Sequence, residues 1–307
     1  MNAPGSAPHR RLCFTTRLFF LVVATLERIP FEWNGIRSTS FAVAHVLFGK
    51  PVSTFLGHAL VAAAWSFNMA AAQAIALPPG FTYLGSLAPS IVEDIRYAGT
   101  HNFVGRPIDG YHAAQCVLTE PAARALSAAQ RELAAKKLSL IVWDCYRPRR
   151  AVADFLAWSM DAHDTRMKAE FYPATDKARL FSLGYLATRS AHSRGSTVDL
   201  GLVPLDLKSP PAYDPSAALR PCTAPRHTRF EDGTVDFGTG YDCLDPAAST
   251  SALSVGPAAI ENRRLLRALM EQHGFTPYAK EWWHFELMDE PFPSRSFDFP
   301  IVQPQGR

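Results

Sequence analysis

The 307-residue sequence predicts an α+β fold: a single domain with a central, mainly antiparallel sheet flanked by helices. Three observations carry this expectation. Short apolar runs suited to strands alternate irregularly with amphipathic helical stretches, unlike the regular strand–helix alternation of a parallel sheet. Twenty-four prolines interrupt the chain too often for a helical bundle. The composition, 48% hydrophobic and 19% charged, is that of an ordinary globular chain, which excludes a disordered protein, a collagen and a multi-span membrane protein.

The elements follow in order. Leu77-Pro78-Pro79-Gly80 reads as a linker, and Val92–Tyr97 and Ala114–Leu118 as short strands. Glu120–Lys137 reads as a helix, with Thr119 or Glu120 as its cap, Pro121 in its first turn, and alanine and leucine at helical spacing. Ser139–Cys145 is an apolar run suited to a buried strand, and Arg149–Met160 a second helix. Thr197–Val203 reads as a strand, Pro257–His273 as a third helix closed by Gly274, and Trp282–Leu287 as the last strand. Between Pro204 and Asp242 the chain is proline-rich and polar, the composition of a long surface loop.

Residues 1–74 differ from the rest. Lys50, the apolar stretch Ala59–Ala71 and Ala72-Gln73-Ala74 give a basic flank, an apolar region and a small-x-small site, the layout of a secretory signal. The pattern lies deeper than the usual 15–30 residues from the start, so the expected start is near Val46 or Val52, with residues 1–45 a gene-model extension. The competing readings are a buried Ala-rich helix and an uncleaved anchor. The apolar run Leu18–Leu26 is too short to span a bilayer. The leader carries six basic and two acidic residues, so the +3 of the whole chain becomes −1 over the remaining 233 residues. With no Lys/Arg cluster, a nucleic-acid partner is excluded. The expected division is therefore a leader over 1–74 and one catalytic domain over 75–307, exported to the periplasm and without a membrane span once mature.

Three segments carry chemistry. In Ser190-Ala-His-Ser-Arg-Gly-Ser-Thr-Val-Asp199 a Gly-containing turn can bring His192 and Asp199 together, and imidazole nitrogen and carboxylate oxygen are ordinary zinc ligands. In Glu281-Trp-Trp-His-Phe-Glu286, His284 can complete a three-ligand set, leaving Glu281 free to take a proton from water. In Trp143-Asp-Cys-Tyr-Arg-Pro148, Arg147 stands at a strand–helix junction, where a fixed guanidinium can meet a developing oxyanion. Each motif alone is weak. His-x6-Asp is usually structural, Trp282, Trp283 and Phe285 suit a core, and Arg147 could be a surface residue paired with Asp144. Their combination is more specific. His101, His112, His163, His227 and His273 lack an acidic partner in a comparable turn and read as surface or structural.

Together with Asp94-Ile-Arg-Tyr-Ala98, Asn102-Phe-Val-Gly-Arg-Pro-Ile-Asp-Gly-Tyr111, Leu118-Thr-Glu-Pro-Ala-Ala123 and Phe297-Asp-Phe-Pro300, these segments resemble the zinc D-alanyl-D-alanine dipeptidases, the family of the vancomycin-resistance dipeptidase, over roughly Tyr83 to Val302. The resemblance implies one Zn2+ per subunit on His192, Asp199 and His284, with Glu281 as general base and Arg147 at the oxyanion. It implies that Asp242 holds the dipeptide's ammonium and that Tyr97 and Ser190 line the substrate pocket. The implied partner is a small dipeptide, D-alanyl-D-alanine, split in cell-wall peptide turnover or glycopeptide resistance. The rivals are a D,D- or L,D-carboxypeptidase acting on peptidoglycan stem peptides and a non-catalytic metal-dependent binding module. The chain departs from the family pattern at Lys208–Val235, which reads as an insertion, and at its cysteines. Cys13 leaves with the leader; Cys116 with Cys145, and Cys222 with Cys243, are the candidate disulfides of an exported enzyme. The alternatives are free buried thiols and zinc ligands, the latter disfavoured by the absence of Cys-x-x-Cys.

Overall fold

A computed structural model describes residues 76–304; the leader expected over 1–74 lies outside the described residues. Along the chain the elements are β1 (Phe81–Tyr83), α1 (Leu84–Leu87), β2 (Val92–Glu93), β3 (Val117–Thr119), α2 (Glu120–Ala134), β4 (Leu138–Asp144), α3 (Arg149–Met160), α4 (Lys168–Phe171), β5 (Thr197–Pro204), α5 (Pro257–Gln272), β6 (Phe275–Pro277) and β7 (His284–Leu287). Five strands form the main sheet in the order β2-β4-β5-β7-β6, and β1 pairs with β3 in a separate ribbon. Only β2 and β4 run parallel; every other pair is antiparallel. The α+β class and the mainly antiparallel sheet are as expected.

The central strands are apolar on both faces because both are covered. From Ser139 to Asp144 every residue of β4 is buried, as is Thr197 to Val203 of β5. Helix α2 packs against β4 and buries Ala122, Ala123, Leu126, Ala129, Gln130 and Leu133, one stripe at helical spacing. Helix α5 packs against β6 and ends where Gly274 takes a left-handed conformation.

Several boundaries differ from the expected ones, each for a local reason. Only Val92–Glu93 of Val92–Tyr97 is strand; Arg96–Ala98 turns into a 3-10 helix, because Arg96 folds back onto Asp94 and His101. The strand expected from Ala114 begins at Val117, since the Cys116 amide is already taken by the Glu93 carboxylate. Helix α2 stops at Ala134, before Lys137 adopts a left-handed conformation, and the Thr119 hydroxyl is hydrogen-bonded to that of Ser196 instead of capping the helix. The strand expected from Trp282 begins at His284, because Glu281–Trp283 forms a turn closed by the His284 amide on the Glu281 carbonyl. The short β1, α1, α4 and β6 were not expected. Pro204–Asp242 contains no strand or helix beyond the end of β5, as a long loop should. Both disulfides are formed, Cys116–Cys145 and Cys222–Cys243.

Candidate active site

The site is set by strand register. Asp199 on β5 faces His284 on β7, and Asp144 on β4 faces Asp199. The second pairing depends on a bulge: Val142 pairs with Leu200 and Asp144 with the adjacent Asp199, so Trp143 is an extra residue. Such a bulge re-aims the side chains that follow it, and here it places Asp144 in the same cross-strand row as Asp199 and His284.

His192 arrives from outside the sheet, on a 3-10 turn (Ala191–Arg194) that leads into β5. The chain reverses at Gly195, with φ +87°, where a Cβ would collide with the Phe81 ring, so glycine is required. His192 Nδ1 lies 2.7 Å from the Cys145 carbonyl, which can only accept a hydrogen bond. Nδ1 therefore carries the proton and Nε2 presents a lone pair. That lone pair meets His284 Nδ1 at 3.3 Å, and Asp199 Oδ1 lies 3.3 Å from the first nitrogen and 3.1 Å from the second. Asp199 Oδ1 is buried without a hydrogen-bond partner. Its second oxygen accepts from the Tyr241 hydroxyl at 3.1 Å. Burial alone would raise the Asp199 pKa, but the two imidazoles outweigh it and hold the carboxyl far below its ordinary range.

Arg147 sits over this row. Its guanidinium is 2.8 and 2.7 Å from Asp144 Oδ2, 3.7 Å from Asp199 Oδ2 and 3.5 Å from the Ser190 hydroxyl. It also stacks over the rings of Tyr97 and Phe155, at 5.1 and 5.3 Å. The pairing with Asp144 is present, but Asp144 is fully buried and the Arg147 side chain only 12% exposed, so Arg147 is not a surface arginine. Glu281 Oε2 is 3.6 Å from His284 Nδ1. Burial, reinforced by Asp199, pushes its pKa up to about 7 against the opposing pull of His284, Arg147 and Lys280. Asp242 has a positive φ of 55°, is buried, and accepts the Tyr97 hydroxyl at 2.8 Å. Burial and the Asp199 charge lift its pKa well above the ordinary carboxylate value. Among the described residues no cation forms a salt bridge with it.

All eight non-cysteine residues expected in the site line one cleft of about 310 Å³: His192, Asp199, His284, Glu281, Arg147, Asp242, Tyr97 and Ser190. The cysteines support it from behind, Cys145 through its carbonyl and Cys243 as the neighbour of Asp242. Trp282 and Trp283 are core residues, the former stacked on Phe237. Of the remaining histidines, His101 is buried, with Glu170 at 2.7 Å, an acidic partner 69 residues away. Three participants escaped the sequence reading. In the sequence Asp144 stands only as a surface partner for Arg147, Tyr241 carries no signal beyond its place beside Asp242, and Glu286 falls within the apolar stretch expected as the last strand. Glu286 lies 3.5 Å from His284 Nε2 and, held chiefly by that hydrogen bond, has a pKa of about 2.

The family model described as D-ala-D-ala dipeptidase matches residues 78–211 and 216–302. The chain belongs to this family. It is 36% identical over 222 residues to the D-alanyl-D-alanine dipeptidase of Enterococcus faecalis and 40% identical over 222 residues to that of Streptomyces coelicolor, in each case covering 72% of this chain and 98% of the relative. The Escherichia coli D-alanyl-D-alanine dipeptidase is 29% identical over 205 residues. The match is interrupted only at 212–215, inside the stretch read as an insertion. Membership of this metallopeptidase family implies a metal, and the residues fit one. Two imidazole nitrogens and a carboxylate oxygen lie within 4.8 Å of one another, with no other polar partner for Asp199 Oδ1. Only a proton or a cation can relieve two nitrogen lone pairs and an anionic oxygen pointed at one spot.

Proposed function

We propose that the chain hydrolyses the dipeptide D-alanyl-D-alanine to two molecules of D-alanine at a single zinc ion held by His192, Asp199 and His284. When bound there, zinc supplies Lewis-acid chemistry, polarising the scissile carbonyl and acidifying water. The rest falls to the chain's own side chains. Glu281 takes a proton from the attacking water and returns it to the leaving amine. Arg147, pinned by Asp144, faces the oxygen on which negative charge develops. One water is consumed, one amide bond breaks, and the amine leaves protonated.

The observation that carries the choice of a dipeptide is Asp242. A buried carboxylate without a cationic partner is costly, and an incoming ammonium removes that cost. A longer peptide, or a blocked amine, places an uncharged group against Asp242 and forfeits the pairing. A stem-peptide carboxypeptidase has no use for such a stop. The test is the rate on D-Ala-D-Ala beside N-acetyl-D-Ala-D-Ala. The dipeptidase reading expects hydrolysis of the first and loss of nearly all activity on the second. Equal rates on both would favour the carboxypeptidase.

Export to the periplasm belongs to the same proposal. It is supported by the two disulfides, which persist in oxidising compartments. No helix among the described residues is long and apolar enough to cross a membrane. A role in cell-wall peptide turnover or glycopeptide resistance is part of the same proposal. Sequencing the amino terminus of the exported chain tests the leader; the expected first residue is Ile75.

A further inference from the structure

Three guanidinium groups line the catalytic cleft, and two are already engaged. Arg147 is paired with Asp144 at 2.7 Å, and Arg194 with Glu286 and Glu290 at 2.8 and 2.7 Å. The third, Arg189, is exposed and has no ion pair or side-chain hydrogen bond among the described residues. It stands three positions before His192 and beside Ser190, whose hydroxyl is 3.5 Å from Arg147. It also lines a second, larger cavity of about 690 Å³ with Arg149, Ser193 and Ser296, so its side chain lies in the wall the two cavities share. The one carboxylate of that second cavity, Asp298, is held by Arg150 and cannot neutralise it.

A dipeptide is a zwitterion whose charged ends lie at most about 7 Å apart. With the ammonium at Asp242 and the scissile carbonyl at His192, Asp199 and His284, the carboxylate falls beyond the metal ligands. The cleft is acidic: Asp199, Glu281 and Glu286 all line it. A carboxylate among them needs a cation that is not already committed, and among the described residues only the Arg189 guanidinium meets that description in the cleft.

We propose that Arg189 receives the C-terminal carboxylate of the dipeptide and so sets the preference for a free carboxyl end. This rests on the dipeptidase reading and deepens it. Arg189 and Asp242 would hold the two charged ends, while the residues between them carry out the reaction. A guanidinium suits the task because its fork matches a carboxylate and stays charged at any working pH.

The experiment compares D-Ala-D-Ala with D-Ala-D-Ala amide, in which the same bond is cut, for the wild-type enzyme, Arg189→Ala and Arg189→Lys. The wild type is expected to favour the free acid. In Arg189→Ala, KM for the free acid rises by about tenfold, kcat and the kinetics on the amide stay near wild type, and the preference disappears. Arg189→Lys recovers part of it. Unchanged amide kinetics also show that the variant is folded and metal-loaded. If Arg189→Ala keeps the wild-type ratio of acid to amide, the assignment is wrong. If the wild type does not cut D-Ala-D-Ala at all, the dipeptidase reading falls, and this proposal falls with it.

Discussion

Asp144 and Asp199 face each other across β4 and β5, two buried carboxylates in one register position, with the Arg147 guanidinium 2.7 Å from the first and 3.7 Å from the second. The bulge at Trp143 creates this opposition, and Arg147 makes it tolerable. The same guanidinium reaches the cleft, so the group that stabilises the fold here is the one proposed to meet the oxyanion. Replacing it with a point charge separates the two tasks. Arg147→Lys keeps a cation near Asp144 but loses the fork, so kcat is expected to fall about a hundredfold with zinc content unchanged, measured by steady-state kinetics and metal analysis on the same sample.

Removing the other partner acts on stability as well. Asp144→Ala leaves the largely covered Arg147 without its closest anion and takes away the acceptor of the Tyr111 hydroxyl at 2.6 Å. Breaking a buried pair from one side costs about 3–5 kcal/mol. Denaturant unfolding should show a loss of that size, whereas an unchanged midpoint would mean that water replaces the pair.

The acid limb of the pH profile should report Glu281. Burial raises its pKa to about 7, so the proton-accepting form is lost as pH falls through that value. A bound cation favours the carboxylate and lowers the pKa. The limb in kcat/KM is therefore expected at or somewhat below pH 7, still well above an ordinary glutamate. A rate that stays flat down to pH 5 contradicts the assignment.

The Cys116–Cys145 disulfide joins the loop before β3 to the residue whose carbonyl orients His192. Its sequence separation is 29 residues, for which loop-closure entropy gives about 3–4 kcal/mol. The double serine variant is expected to lose stability on that scale and, because the carbonyl is then less firmly held, about tenfold in zinc affinity by chelator competition. Loss of stability with full zinc affinity would assign the bond to the fold alone.

Much of this was legible in the sequence because it is written in local spacing. His192 and Asp199 flank a glycine turn, and Glu281 and His284 are three apart, so their convergence could be read from segments of ten residues or fewer. The long helices and the apolar β4 and β5 carry enough periods to be recognised. What escaped depends on partners distant in sequence. β1 and β6 are three residues long and exist only through their pairing with β3 and β7. The opposition of Asp144 and Asp199, which Arg147 bridges, depends on a bulge that nothing in Val142-Trp143-Asp144 announces. His101 finds its carboxylate 69 residues away, which no local pattern foretells.

The central claim, metal-dependent hydrolysis with Glu281 as the base, is tested most directly by the rate of D-alanine release from D-Ala-D-Ala by the chain beginning at residue 75, with and without chelator, beside Glu281→Ala. The account predicts release that chelator abolishes and zinc restores, and a Glu281→Ala variant that binds zinc normally but is slower by about a hundredfold or more. Wild-type activity in Glu281→Ala, or release that persists after the metal is stripped, would contradict it.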